Sequence, residues 1–171
     1  MSEREKVIVV DKQNNVMGSK WRDELTDDDC WRMVSIWVEN SKEQVLLQQR
    51  SLDKKLSPGA WTVAAEGTVG VGEDLLSAAK RELEEEVGIS NVKLAPIKLT
   101  LVRMEFGWRQ MQTYRTVCDL PSEELKIQTD EVAQIEWIDK QQFIDEVLGK
   151  RPYSRKYPSS IRFWPKVYGL S

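Results

Sequence analysis

Four glutamates, Glu82, Glu84, Glu85 and Glu86, stand within five consecutive residues, behind a loop that contains Gly67, Gly70 and Gly72. Like charges at neighbouring helical positions cost a few tenths of a kcal/mol each. A cation is therefore expected against them. On a helix Glu82, Glu85 and Glu86 occupy i, i+3 and i+4 and share one face. Three carboxylates held there suit the all-oxygen shell of Mg²⁺ or Mn²⁺, which Mg²⁺ completes with waters and with the oxygens of a substrate's phosphates. Arg81, in the same turn, is placed to hold one of the carboxylates or to contact the substrate. The plainer alternative is a solvated acidic face, as most charge runs are. The chain has no histidine. Metal binding and proton transfer must therefore rest on carboxylates.

The elements that position these residues follow from periodicity and punctuation. From Asp74 to Val87 the pattern is helical, with Leu76, Ala79, Leu83 and Val87 as the apolar stripe and the glutamates beside it. Gly88 suits the left-handed residue that ends a helix. "KVIVV" and "NVMGSKW" flank Asp11–Asn15 as a hairpin, and "WRMVSIWVEN", "QVLLQQR" and "WTVAAEG" read as strands. "KLAPIKLTLVRME" and "QMQTYRTVCDL" suggest an antiparallel pair, with "QIEWID" a further strand. Asp139 is expected to cap a helix through Leu148, stopped by Gly149, with Phe143, Ile144 and Val147 facing inward. Trp21, Trp37, Trp61 and Trp137 are expected in the core. This order of elements implies a mixed sheet between helical layers.

With 171 residues the chain suits one domain, with a flexible tail over residues 1–6 and a basic, aromatic C-terminal extension over 150–171. No apolar run is long enough to span a bilayer, and MSEREK is no signal-peptide start. Cys30 and Cys118 lack a metal-ligand spacing and read as reduced thiols of a cytoplasmic protein. A net charge of −3 argues against general nucleic-acid binding. In the extension, cations alternate with Tyr153, Tyr157, Phe163, Trp164 and Tyr168. That stretch suits covering a site, stacking on a nucleobase, or building a homodimer.

The spacing Gly67, five residues, Glu73, seven residues, then Arg81-Glu82-Leu83, Glu85-Glu86 and Gly88-Ile89 resembles the full signature of the Nudix hydrolases. The resemblance implies an α/β fold, the Nudix α/β/α sandwich, whose loop–helix–loop binds a divalent metal. It implies hydrolysis of a diphosphate bond in a small molecule, with a nucleoside diphosphate or a derivative the first expectation. Glu82, Glu85, Glu86 and the backbone carbonyl of Glu66 would be the ligands. In such enzymes a signature glutamate or one on a later loop activates water. Glu82, with Glu85 beside it, and Glu131 are the candidates, with Glu105 behind them. A non-catalytic Nudix ligand-binding module is a further reading, against which the retained glutamates weigh.

"VVDKQNNVMGSKWRDE", "SIWVENSKEQVLLQQRSLDKKLSPGAWT" and "TDEVAQIEWID" are similar to the isopentenyl-diphosphate isomerases, which share this fold. That likeness implies that Arg50 and Lys54 contact a diphosphate. The isomerase chemistry is missing, however. Glu66 stands at the catalytic cysteine, Thr68 and Trp31 at metal-binding histidines, and Gln110-Met111-Gln112 at a Glu-x-Glu. Trp108 either stacks on a base or packs at a strand end.

Overall fold

The computed structural model describes residues 4–171. Of the expected tail, residues 1–3 lie outside the described part. Residues 4–6 are not a tail: Arg4 donates to Asp23, Arg22 to Glu5, and Lys6 already opens a strand. The strands are β1 (Lys6–Val10), β2 (Val16–Trp21), β3 (Cys30–Glu39), β4 (Gln44–Arg50), β5 (Trp61–Val63), β6 (Ala65–Thr68), β7 (Ala95–Arg103), β8 (Trp108–Val117) and β9 (Val132–Asp139). The helices are α1 (Leu75–Val87), α2 (Lys140–Val147) and α3 (Trp164–Tyr168), the last entered through a 3-10 turn over Ser159–Phe163.

Local chemistry explains the boundaries. The Asp11 carboxylate accepts the Gln13 and Asn15 amides and shapes the first hairpin, where Asn14 takes a left-handed conformation. Asp74 caps α1 by accepting from the Ser77 amide at 2.8 Å, and Asp139 caps α2 through Gln142 at 2.7 Å. Gly88 ends α1 at φ 72°, where a Cβ would stand 2.8 Å from the Lys126 amide nitrogen. Glycine is required there both by backbone sign and by space.

β3 is the centre of a mixed sheet. It pairs with β8 in parallel along its whole length, and with β6 and β1 antiparallel on its other edge. β4 continues as a hairpin and carries β5 and β9. "WTVAAEG", read as one strand, is two. At Ala64 the chain leaves β4 for β3, and the Ala64 carbonyl is taken up by the Gln48 side chain at 3.1 Å.

Alternation along β3 separates two cores. Val34, Ile36 and Val38 face α1 with Ala78, Ala79, Leu83 and Val87. On the other side, Trp37 packs with Val102, Met111, Phe143, Trp164 and Val167, beneath α2 and α3. This is the expected sandwich. The α1 stripe holds at Ala79, Leu83 and Val87 and fails only at Leu76, which is exposed while its neighbour Leu75 packs on the core. Trp37 and Trp61 are buried and Trp137 partly so, whereas Trp21 lies half-exposed beneath Arg4 and Lys6. Cys30 and Cys118 are both free and buried. No helix among the described residues is long and apolar enough to cross a membrane.

Candidate active site

The glutamates of α1 do not sit together beside the apolar stripe. Glu82 and Glu86 belong to the buried face of the helix, and Glu85 is exposed. The stripe was drawn from apolar residues alone, so it missed that the inward face includes these two carboxyls. Glu82 fits against β6 only because residue 67 is glycine. A Cβ there would stand 1.9 Å from the Glu82 carboxyl carbon. Burial, opposed by Arg81, pushes the Glu82 carboxyl up to about 7. Glu86 reaches the start of β6, where it accepts the Glu66 amide at 3.2 Å and Gln48 Nε2 at 2.5 Å. Burial and then the charge of Glu82 push it up to about 8.

Arg81 is the centre of the cluster. It donates to both oxygens of Glu73, to Glu82 at 2.7 Å, to Glu85 at 3.2 Å and to the Thr68 carbonyl at 3.1 Å. Glu73 in turn accepts the Gly70 amide, which closes the glycine loop onto the helix. Every nitrogen of the Arg81 guanidinium is thus occupied within the cluster, as suits a clamp on carboxylates more than a substrate contact. Among the described residues no three acidic or cysteine side chains are gathered into a ready metal cage. The reason is visible: Arg81 holds Glu82 and Glu85, while Gln48 and a backbone amide hold Glu86. The donor set nevertheless fits a hard divalent cation, since two buried carboxyls face one another with a single guanidinium between three acids.

The Glu66 side chain points to the opposite side of β6. Its oxygens accept Ser35 Oγ at 2.8 Å and Thr62 Oγ1 at 2.9 Å, and Ser35 also meets the Tyr168 hydroxyl. Burial pushes this carboxyl up, partly offset by those two hydroxyls and by Arg50. Glu66 and Ser35 border a cavity of about 40 Å³, roofed by Phe163, Trp164 and Val167. The C-terminal extension therefore covers the sheet face on which Glu66 lies.

The other candidates are placed as follows. Lys54 and Glu131 are brought together as an ion pair. Arg50 uses Nε on the Leu56 carbonyl at 3.1 Å. Glu105 is exposed in the β7–β8 turn. The Trp108 ring is flanked by Lys12 Nζ, 4.1 Å from its centroid, and by Arg103 at 5.7 Å. Trp31 lies inside β3, next to its first residue. Gln110 and Gln112, matched to the isomerase Glu-x-Glu, lie on the face of the sheet away from the Glu66 side chain. The β8 residues that share the Glu66 face are Arg109, Met111, Thr113, Arg115 and Val117, because each pairs with an odd-numbered residue of β3. None is a carboxylate. Gln48, Ser35 and Thr62 had not been singled out, and Tyr168 had been named only as part of the C-terminal stretch. A signal existed for one of them, since Ser35 interrupts the apolar run of β3.

Known proteins resemble this chain in sequence and in fold. The NUDIX domain model matches residues 31–157. A Nudix hydrolase of Pseudomonas aeruginosa whose function is uncharacterised is 31% identical over 164 residues, covering 95% of both chains. The isopentenyl-diphosphate Delta-isomerase of Corynebacterium diphtheriae is 27% identical over 158 residues, covering 86% of this chain and 85% of its own. Among solved structures, a Deinococcus radiodurans protein superposes with a TM-score of 0.74 at 21% identity, over 92% of this chain and 98% of its own.

Proposed function

This chain belongs to the Nudix family as a Nudix hydrolase, and we propose that it cleaves the diphosphate bond of a nucleoside diphosphate or a derivative of one, with Mg²⁺ or Mn²⁺. The observation that carries this reading is the pair of buried carboxyls, Glu82 and Glu86, seated against β6 where Gly67 leaves room. Glu82, Glu85, Glu86 and the Glu66 carbonyl would hold the cation. When bound, such an ion neutralises diphosphate charge and makes a bound water more acidic.

The remaining roles fall to side chains already placed. Arg50 and Lys54 offer positive charge to the diphosphate. Lys54 exchanges Glu131 for a phosphate oxygen, which frees the Glu131 carboxylate to take a proton from the attacking water. Glu82, held near neutrality, is the rival base. The buried, free thiols of Cys30 and Cys118 support a reducing compartment such as the cytoplasm.

The relatives named as isomerases favour prenyl-diphosphate isomerisation as a second reading. The face around Glu66 argues against it, with no cysteine at 66, no histidine at 68 and no carboxylate from β8. The test is a screen of nucleoside di- and triphosphates, nucleotide sugars, dinucleotides and isopentenyl diphosphate with Mg²⁺ or Mn²⁺. Released phosphate and nucleotide are measured, together with dimethylallyl diphosphate. Hydrolysis of a nucleotide substrate without isomer formation is expected. Isomer formation that persists in Glu66→Ala, or no hydrolysis of any nucleotide by the folded protein, would overturn the proposal.

A further inference from the structure

The strand register lays out three rows across the sheet face that the C-terminal segment covers. The first holds Glu66, Ser35 and Thr113, the second Thr68, Met33, Met111 and Thr100, and the third Trp31, Arg109 and Val102. The third row is peculiar. Arg109 is only 7% exposed, yet no described carboxylate pairs with it. Buried arginines are ordinarily paired, because an isolated buried charge is costly. Its guanidinium carbon stands 3.2 Å from the Trp31 ring centroid. Nε points at the Met33 sulfur at 3.1 Å, a weak acceptor, and Nη1 donates to the Trp108 carbonyl. Nη2 has no bond to any described residue. Burial, with Arg22 adding positive charge, pushes the group down to about 9.

The middle row has the same deficit. The hydroxyls of Thr68 and Thr100 are buried without a hydrogen-bond partner among the described residues. Such orphans are uncommon in native proteins and call for an explanation. Here they stand at the two ends of a floor made by Met33 and Met111. Glu66 lies two rows from Arg109, about 13 Å along the strands and about 10 Å across them from β6 to β8, a separation of roughly 16 Å. That is the scale on which a nucleoside diphosphate extends from its phosphates to the far edge of its base.

Resting on the hydrolase reading above, we propose that Arg109 is the specificity-determining residue for the nucleobase. It reads a keto edge, such as that of guanine or uracil, lying over Met33 and Met111 with Thr100 at its rim. Arginine pairs well with carbonyl and ring-nitrogen acceptors, whereas an exocyclic amine at the same edge would oppose donor to donor. A neutral acceptor also suits this apolar surround better than a second phosphate, for which three or more donors would be needed. The cavity over the methionines, about 40 Å³, is smaller than a base. Admission therefore displaces the 159–168 roof.

The test is equilibrium binding of guanosine, uridine and adenosine diphosphates in EDTA, which removes any contribution of a metal, followed by kcat/KM for the same nucleotides with Mg²⁺. Wild type should favour the keto bases by about ten- to a hundredfold, the range of one good bidentate contact. Arg109→Met should abolish that preference and Arg109→Lys should keep part of it. Thr100→Val guards against a folding defect in the arginine variant. Removing an orphan hydroxyl should leave the apo protein as stable or more so, yet weaken nucleotide binding several-fold. Equal affinities in wild type, or a preference unchanged in Arg109→Met and Thr100→Val, would overturn the inference. Selective binding without hydrolysis would defeat only the proposed activity. Hydrolysis with no base preference would defeat only the role of Arg109.

Discussion

Gly67→Ala should separate activity from folding. The backbone at 67 is not left-handed, so alanine is allowed there. The new methyl would nonetheless stand 1.9 Å from Glu82 Cδ, 2.0 Å from Oε1 and 2.5 Å from Cγ. All three atoms belong to the far end of one side chain, so the helix can stay in place while Glu82 swings away. That costs about 0.5–1.5 kcal/mol of rotamer strain. Loss of the half-buried Arg81–Glu82 contact adds up to about 1 kcal/mol. A total near 1–2 kcal/mol corresponds to a fall in Tm of about 2–8 °C for a chain of this size. Turnover should fall much further, by about 10²-fold or more, because the displaced carboxylate is a proposed ligand and a candidate base. Thermal melts without metal, steady-state turnover and a metal titration together measure this. Gly70→Ala is the control, since a Cβ there meets only Glu73 Oε2 at an ordinary 3.6 Å. Turnover of Gly67→Ala within about threefold of wild type, far short of a general-base loss, would refute the placement of Glu82 in the chemistry.

Three further outcomes are expected. Glu86→Gln should fold, since an amide oxygen can still accept from Gln48 and the Glu66 amide, yet lose orders of magnitude in turnover. Near-wild-type rates in both Glu85→Gln and Glu86→Gln at saturating Mg²⁺ would remove the metal assignment. If Glu131 takes the proton, Glu131→Gln should lower kcat by about 10²- to 10⁴-fold with metal affinity little changed. A large loss in Glu82→Gln with only a few-fold effect at Glu131, metal binding being matched, would pass that role to Glu82. At the other end of the sheet, burial raises the Glu39 carboxyl, but Arg115, Trp37 and Lys140 more than offset it and hold it below 4.5. Its contribution to stability is therefore present above pH 4.5 and lost as pH falls through the lowered value. Acid unfolding followed by circular dichroism should show a shallower loss below pH 4.5 in Glu39→Gln, and identical acid limbs would contradict the pairing.

The helix, its two caps, the first hairpin and most strands were legible because each is written locally, in Asp74, Gly88, Asp139 and the Asp11–Asn15 turn. The signature marked the acidic helix as the element expected to hold a metal. What local pattern does not encode is which neighbours a strand takes. "WTVAAEG" carries no mark at Ala64 to say that the chain changes partners there. Nor could the residues of β8 be assigned to a face until its parallel pairing with β3 was known, so the sequence could not say that Gln110 and Gln112 lie on the side away from the Glu66 side chain. Glu82 and Glu86 misled in another way. A periodicity that counts only apolar residues treats a buried carboxylate as exposed, although the glycine opposite it, Gly67, was in plain view.

The parallel pairing of β3 with β8 also has a kinetic consequence. Ser35 and Glu66, which join β3 to β6, are 31 residues apart, whereas Met33 and Arg109, which join β3 to β8, are 76 apart. Non-local pairings of the second kind slow folding, because the chain is closed into a long loop before any contact rewards it. The unit of β3, β6 and α1 can therefore assemble first and seat Glu82 and Glu86 before β8 arrives. The opposite face, with Met111, Arg109 and the 159–168 roof, waits for the slower step. On this order a refolding chain would have its acidic helix seated before the face of Met111 and Arg109 is complete.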